Sequence, residues 1–434
     1  MVALTALAPV SAAPVLLISI DGLRPGDVLD AEARGLKIAT LRRFLVEGSS
    51  ATSVVGVLPT VTYPSHTTLL TGASPAKHGI VSNTTFDPMQ VNQGGWFWYA
   101  SDINVPTLWD AARKGGMTVA NIHWPVSVGA NAITWNLPQI WRTGHADDAK
   151  LVAALATPGL LAPLEAKLGK YAPGIDESID GDETRGRFAV QLIGDKRPGF
   201  ATVYLTALDH TQHETGPGSA ESHAVLERID AVVAKLIVAE RAAHPDAVIA
   251  VVSDHGFEAT TTEVNLFAPF IDAGLITVDD AGKVKSWTAM PWNSGGSIAI
   301  ILAQPNDAAL RDKVAKLLAI LKTDSDAHIA DVIEAPAIAA MRGNRQASFY
   351  VNLGPGALSG GFKGKGALLA SPAKTKGMHG YFPAAPAMRS TFMMMGPGIA
   401  RGRSYGEIDM RVIAPTLARI MGVSLIGAEK PPLP

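Results

Sequence analysis

The chain of 434 residues contains no cysteine. That absence excludes disulfides, thiolate zinc sites and cysteine nucleophiles, so any metal must be held by histidine and carboxylate side chains. It is also a mild pointer to an exported bacterial protein. Charge is scarce: 18% of residues are Asp, Glu, Lys or Arg, and the formal net charge is −2. This balance excludes a strongly basic nucleic-acid surface, and no stable nucleic-acid partner is expected. It leaves room for a small phosphorylated substrate gripped by a local metal cluster. No apolar run reaches about 18 residues, so no membrane span is predicted. The opening segment 1–13 ends like a secretory leader but lacks the basic start of one. A periplasmic or secreted location is the expectation, with a cytoplasmic one as the alternative.

What is present is apolar bulk, 47% of the residues. At this length one large domain with a subordinate one is expected. Short continuous apolar runs alternate with helix-like stretches, the pattern of an α/β fold whose sheet is mostly parallel and flanked by helices. Strands are predicted at 15–20, 118–122, 200–205, 248–252 and 391–395, and helices at 38–47, 107–114, 222–244 and 410–421. From about 258 the texture changes, with strands at 297–302 and 347–353, a helix at 307–323 and a Gly-rich stretch at 354–366. The expected organisation is a core at 14–257, a smaller inserted α+β unit at 258–376, and the last core strand and closing helix at 377–434.

Acidic residues cluster where strands end. Asp21 follows Ile20, Asp254 follows Val252-Ser253, and Asp209 follows the run 204–208. In open α/β sheets ligands bind beyond the carboxyl ends of the strands, so three carboxylates distant in sequence can converge there. Asp209 and His213 are four apart, which on a helix puts both on one face. His255 and Gly256 follow Asp254, and His379 lies between Met378 and Gly380. Thr62, in Pro59-Thr-Val-Thr-Tyr-Pro-Ser-His66, falls at or just before the amino end of a helix expected to begin near Ser65, with Pro64 biasing Tyr63 toward extended geometry. Such an end favours an anionic phosphate. By residue type Thr60, Thr67 and Thr68 compete with Thr62 as nucleophile, and His66, His78 and His123 read as structural.

Together these elements resemble the nucleotide pyrophosphatase/phosphodiesterase branch of the alkaline phosphatase superfamily. The matching segments are Ile18-Ser-Ile-Asp-Gly-Leu-Arg24, Pro59 to His66, Leu70 to Ile80, Asn83, Asp209 to His213 with Gly216-Pro217, Ser253-Asp-His-Gly256 and His379-Gly380. The resemblance implies an alkaline phosphatase-like fold and two Zn2+ ions. One would be held by Asp209, His213 and His379, the other by Asp21, Asp254 and His255 with Thr62 as nucleophile. It further implies that Asn83 contacts a phosphoryl oxygen and that Tyr63 stands where the family has an aromatic able to stack on a nucleobase. Nitrogen and carboxylate ligands suit zinc and also admit manganese or iron. Three carboxylates against two dications leave a net charge of about +1, suited to a phosphoryl transition state.

The implied reaction is hydrolysis of a phosphodiester or pyrophosphate bond, with nucleotide-type substrates, through a phosphothreonine intermediate. Monoesterases of the superfamily add a Lys/Arg pair between the Asn83 region and Asp209. The chain has instead Ile122-His-Trp-Pro-Val-Ser-Val-Gly129, like the Trp-Pro-x-Ser segment of diesterases, with Arg142 and Lys150 nearby but in no matching pattern. A phosphomonoesterase or a phosphonoacetate-type hydrolase is the alternative. The cluster Trp96-Phe-Trp-Tyr99 either lines a pocket or packs the core. A sulfatase is disfavoured by the lack of cysteine and the context of Thr62. A binding module without catalysis is disfavoured because the full residue set is present.

Overall fold

The computed structural model describes residues 12–91, 95–141, 147–172 and 176–434. Most of the leader-like segment, and Arg142, lie outside the described residues. The main sheet has eight strands in the order Arg403–Ser404, Ser49–Ser50, Phe392–Met395, Val248–Val252, Val15–Ile20, Phe200–Leu205, Val119–Ile122 and Trp135–Leu137. Val15–Ile20 pairs in parallel with both Phe200–Leu205 and Val248–Val252. Phe392–Met395 runs antiparallel beside Val248–Val252.

Every residue of the three central strands is buried. A sheet covered on both faces has no solvent side, hence the continuous apolar runs in the sequence. Alternation still assigns the two faces. Leu16, Ile18 and Ile20 pack with Phe188, Leu192, Val233 and Leu236 of the helices Ile179–Lys196 and Ala220–Ala243. Val15 and Leu17 pack on the other side with Leu69, Trp109, Ile413 and Leu417.

Helices fall close to where the sequence places them, at Ala39–Glu47, Leu108–Lys114, Ala220–Ala243 and Ile413–Ile420. The second starts at a capping box between Thr107 and Asp110. One expectation is corrected. The helix carrying Thr62 spans Thr62–Thr71, so it starts three residues early and Tyr63 is helical rather than extended. Pro64 is tolerated because a first-turn N–H has no partner within the helix anyway. The Tyr63 N–H, also without one, donates to Asn83 Oδ1 at 2.8 Å.

Between Val248–Val252 and Phe392–Met395 the chain builds a four-stranded antiparallel sheet in the order Ala289–Ser294, Ser297–Leu302, Ala347–Leu353, Ile329–Glu334. Helix Ala308–Thr323 packs on it through Val314, Leu318 and Leu321. The strand Glu258–Val264 pairs with Gly356–Ser359, Ala370–Pro372 and Gly377–Met378, and so leads the chain back to the main sheet just before His379. Among the described residues no helix is long and apolar enough to cross a membrane.

Candidate metal centre and active site

Three neighbouring strands deliver three carboxylates to one edge of the sheet. Asp21 directly follows Val15–Ile20, and Asp254 lies two residues beyond Val248–Val252. After Phe200–Leu205 the chain enters the helix Ala207–Thr215, which places Asp209 in its first turn and His213 one turn later. The His213 Nε2 lies 3.3 Å from Asp209 Oδ2. His379 arrives from the returning strand, its ring stacked on that of His255 at 3.6 Å.

The imidazole tautomers follow from their partners. Nδ1 of His213 faces Gly377 O at 2.8 Å, that of His379 faces Thr60 O at 3.2 Å, and that of His255 faces Gly256 O at 3.2 Å. A carbonyl only accepts, so each Nδ1 carries a proton, and the neutral rings of His255 and His379 turn a bare Nε2 lone pair inward. Those lone pairs meet carboxylate oxygens: His255 Nε2 is 3.2 Å from Asp254 Oδ2 and 3.4 Å from Asp21 Oδ1, and His379 Nε2 is 3.7 Å from Asp209 Oδ1. Acceptor against acceptor is repulsive unless a cation lies between them. Asp21 Oδ1, Asp209 Oδ1 and Asp254 Oδ2 are moreover buried with no hydrogen-bond donor.

Proton equilibria report the same conflict. Burial, with repulsion from Asp209 and Asp254, pushes Asp21 well above the carboxylate range, and burial with Asp209 nearby pushes Asp254 up to about 7. Burial drives His379 down to about 4 and His255 well below its ordinary value. Burial opposes ionisation of Asp209, yet the imidazoles of His213, His379 and His255 hold it below the usual range. Asp21 and Asp254 thus resist ionisation and His255 and His379 resist protonation, a set that fits a divalent cation, whereas Asp209 holds His213 above its ordinary value against the effect of burial. Ligand atoms of Asp21, Asp254 and His255 lie within 4.8 Å of one another, as do those of Asp209, His255 and His379. The second group thus holds His255 where the resemblance implies His213, whose Nε2 lies beside it, 3.3 Å from Asp209 Oδ2.

Thr62 is the first residue of its helix, and its Oγ1 stands 3.4 Å from His255 Nε2. Of its competitors, Thr60 donates to Tyr381 O, Thr67 to Tyr63 O, and Thr68 is bound to His78. Since Asn83 Oδ1 accepts from Tyr63 N, its Nδ2 donors are left for the cleft. His66 bridges Ser19 Oγ and Thr62 O, consistent with a structural role.

The cavity over this cluster has a volume of about 430 Å³. Beyond Asp21, Thr62, Asp209, His213 and His379, its wall includes Gln139, Trp141, Glu177, Trp96, Asn293 and Tyr204, none of which the sequence reading singled out for the site except Trp96 within its cluster. Glu177 and Gln139 sit in irregular segments without periodicity, so nothing in the sequence flags them. Tyr204 shows a signal in hindsight, being a hydroxyl-bearing ring in a fully buried strand; its hydroxyl donates to Asp21 Oδ2. Tyr63 touches the cavity but is only 1% exposed and lies edge-on to Trp96 at 5.1 Å. Trp96 and Trp141, 4.4 Å apart and tilted by 31°, form the aromatic wall. Trp98 instead packs on the core, so the cluster 96–99 divides between both readings. Trp124 is fully buried, edge-on to His66 at 4.9 Å, and supports the site from beneath. Lys150 is exposed on the helix Asp148–Leu155 and does not line the cavity.

Residues 15–382 match the family model of type I phosphodiesterase / nucleotide pyrophosphatase. Among curated proteins, human ectonucleotide pyrophosphatase/phosphodiesterase family member 1 is 25% identical over 256 residues, covering 56% of this chain and 24% of the relative. A human bis(5'-adenosyl)-triphosphatase is 26% identical over 226 residues, covering 51% of this chain and 42% of its own. The chain thus spans less than half the length of these relatives. The solved structure of human ectonucleotide pyrophosphatase/phosphodiesterase 5 superposes with a TM-score of 0.66 at 18% identity, covering 95% of this chain and 96% of that one. An inactive murine form of the same protein, in complex with AMP, superposes equally well, with a TM-score of 0.66 at 18% identity, again covering 95% of this chain and 96% of that one. With the family model spanning the strand that carries Asp21, the helix of Thr62 and the loop of His379 alike, the chain belongs to the type I phosphodiesterase / nucleotide pyrophosphatase family.

Proposed function

We propose that the chain is a zinc-dependent hydrolase of phosphodiester or pyrophosphate bonds in nucleotide-type substrates, with Thr62 as nucleophile. The observation that carries this is the set of bare imidazole nitrogens facing donor-less buried carboxylates beside the Thr62 hydroxyl. Asp209, His213 and His379 would hold one ion, and Asp21, Asp254 and His255 the other. When bound, the two ions supply positive charge that favours the ionised hydroxyl and stabilises the transferring phosphoryl group. The chain's own residues do the rest. Thr62 Oγ1 attacks phosphorus, an Oγ–P bond forms, and the bond to the leaving oxygen breaks with its electron pair. Water then cleaves the Oγ–P bond and restores the threonine. Asn83 Nδ2 points its donors at a non-bridging oxygen, fixed in that sense because its Oδ1 is occupied. Trp96 and Trp141 offer the surface for a base, the role the resemblance gives to Tyr63.

A diester suits this cavity better than a monoester. Among the described residues that line it there is no Lys or Arg, while Asp21, Glu177 and Asp209 are acidic. None of those described residues matches the extra charge of a monoester dianion. The nucleotide class is supported by the family and by the AMP complex of the murine structural relative. Zinc-loaded protein is expected to hydrolyse bis(4-nitrophenyl) phosphate, and Thr62→Ala or a chelator to abolish turnover. Faster turnover of 4-nitrophenyl phosphate or of phosphonoacetate would overturn the diesterase reading.

A further inference from the structure

A second cavity, of about 560 Å³, opens beside the first. The two share Thr84, Asn293 and Gly361 in their walls, so they are compartments of one cleft. Continuity along the chain says the same. Asn83 of the catalytic cavity leads directly into Thr84 and Phe86, and Trp292 directly precedes the Asn293-Ser294-Gly295 stretch lining it. The second compartment is formed where the 84–90 segment of the core meets the strand Ala289–Ser294 and the 361–362 loop of the inserted unit.

Its walls are aromatic. Phe86 lies 5.2 Å from Trp292 by ring centroids, and Phe362 sits edge-on to Phe267 at 5.3 Å. Rings at such separations offer edges and faces to a further ring. Among its described lining residues there is no Lys or Arg. A second phosphate or a polyphosphate tail would therefore find no counter-charge, whereas an uncharged ring would find apolar surface and a polar rim at Thr84 and Asn293.

We propose that this compartment is a second substituent subsite, which holds a planar aromatic group on the side of the diester away from Trp96 and Trp141. The inference rests on the diesterase reading for the identity of its ligand. A phosphodiester at the carboxylate cluster has two organic groups and two compartments to place them in, one walled by Trp96 and Trp141 and the other by Phe86, Phe267, Trp292 and Phe362.

Binding to zinc-loaded Thr62→Ala protein, which lacks the proposed nucleophile, is read by calorimetry and tests this without turnover. Diphenyl phosphate should bind on the order of 10-fold more tightly than methyl phenyl phosphate, because the second ring gains a buried surface. Gly361→Leu fills the passage between compartments, at a position where an added Cβ meets nothing within 4 Å. Phe362→Ala removes part of the wall from a loop. Each variant should bring the ratio close to one with little change in its thermal midpoint. A ratio near one in the Thr62→Ala background, a ratio that survives both added variants, or an equal gain for hexyl phenyl phosphate would each overturn the aromatic subsite. Failure of the wild type to hydrolyse bis(4-nitrophenyl) phosphate would instead sink the proposed reaction, and leaves this binding comparison intact.

Discussion

Asn83 shows how much a single side-chain amide can decide. Its oxygen is committed to the Tyr63 N–H, so one contact both ties down the first turn of the Thr62 helix and aims the amide N–H groups at the cleft. Asn83→Asp keeps the acceptor and replaces the donor with negative charge. It is expected to lower kcat by about 100-fold, the scale of losing one donor to a developing oxyanion, while the thermal midpoint stays near that of the wild type. Steady-state kinetics beside thermal unfolding check both halves. Thr62 and the six Asp and His residues around it stood out as candidates because hydroxyl, imidazole and carboxylate carry their chemistry in their residue type. Glu177 and Trp141 were not, since a carboxylate or an indole in an irregular segment looks the same in a cleft wall or on a surface.

Among the elements, the helix Ala207–Thr215 carries the greatest burden, for it presents both Asp209 and His213. Its amino end is held from outside by Asp182, whose carboxylate accepts from Thr206 N at 3.1 Å and Ala207 N at 2.8 Å. The fully buried Arg185 donates to that same carboxylate at 2.9 Å and to Thr206 Oγ1 at 3.2 Å. Removing Asp182 strands a buried guanidinium. Asp182→Ala should cost about 3–5 kcal/mol of stability and weaken metal binding, although Asp182 touches no metal ligand. Denaturant unfolding and a zinc titration measure the two effects; unchanged zinc affinity in a folded variant would limit Asp182 to the scaffold. Periodicity revealed this helix's ligand pair, whereas its cap comes from a residue 25 positions upstream of Ala207, which no local pattern records.

For the whole molecule, buried titratable groups set the response to pH. Burial holds His66 and His78 at about 3, His379 at about 4, and His123 and His255 well below their ordinary values. Folded imidazoles then bind fewer protons than unfolded ones below about pH 6.5, so their contribution to stability is present above that pH and is lost as pH falls. Asp21 and Asp254, with raised values, act in the opposite sense, since folded carboxylates bind more protons than unfolded ones as pH rises from about 4 to 7. Burial also raises Glu177, Asp182 and Asp230 and pushes Glu240 up to about 7, and Asp209, against the effect of burial, holds His213 above its ordinary value, so these groups oppose the five depressed imidazoles between about pH 4 and 6.5. Zinc held by Asp21 and Asp254 would have to displace protons from them, so the thermal shift it produces should be larger at pH 7.5 than at pH 5, by scanning calorimetry with and without metal; an equal shift would count against ligation by that pair. The sequence by itself determined the α/β class, the order of the core strands' apolar runs and which Asp and His residues are candidates for a metal site, because burial on both faces and metal chemistry each demand particular residue types. Tertiary structure alone decided that the Thr62 helix starts before Pro64, that Trp96 and Trp141 join the nearly buried Tyr63 in the cavity wall, and that a second compartment with aromatic walls adjoins it. Those features depend on contacts between segments far apart in the chain, and relative position in space is what a one-dimensional pattern does not encode.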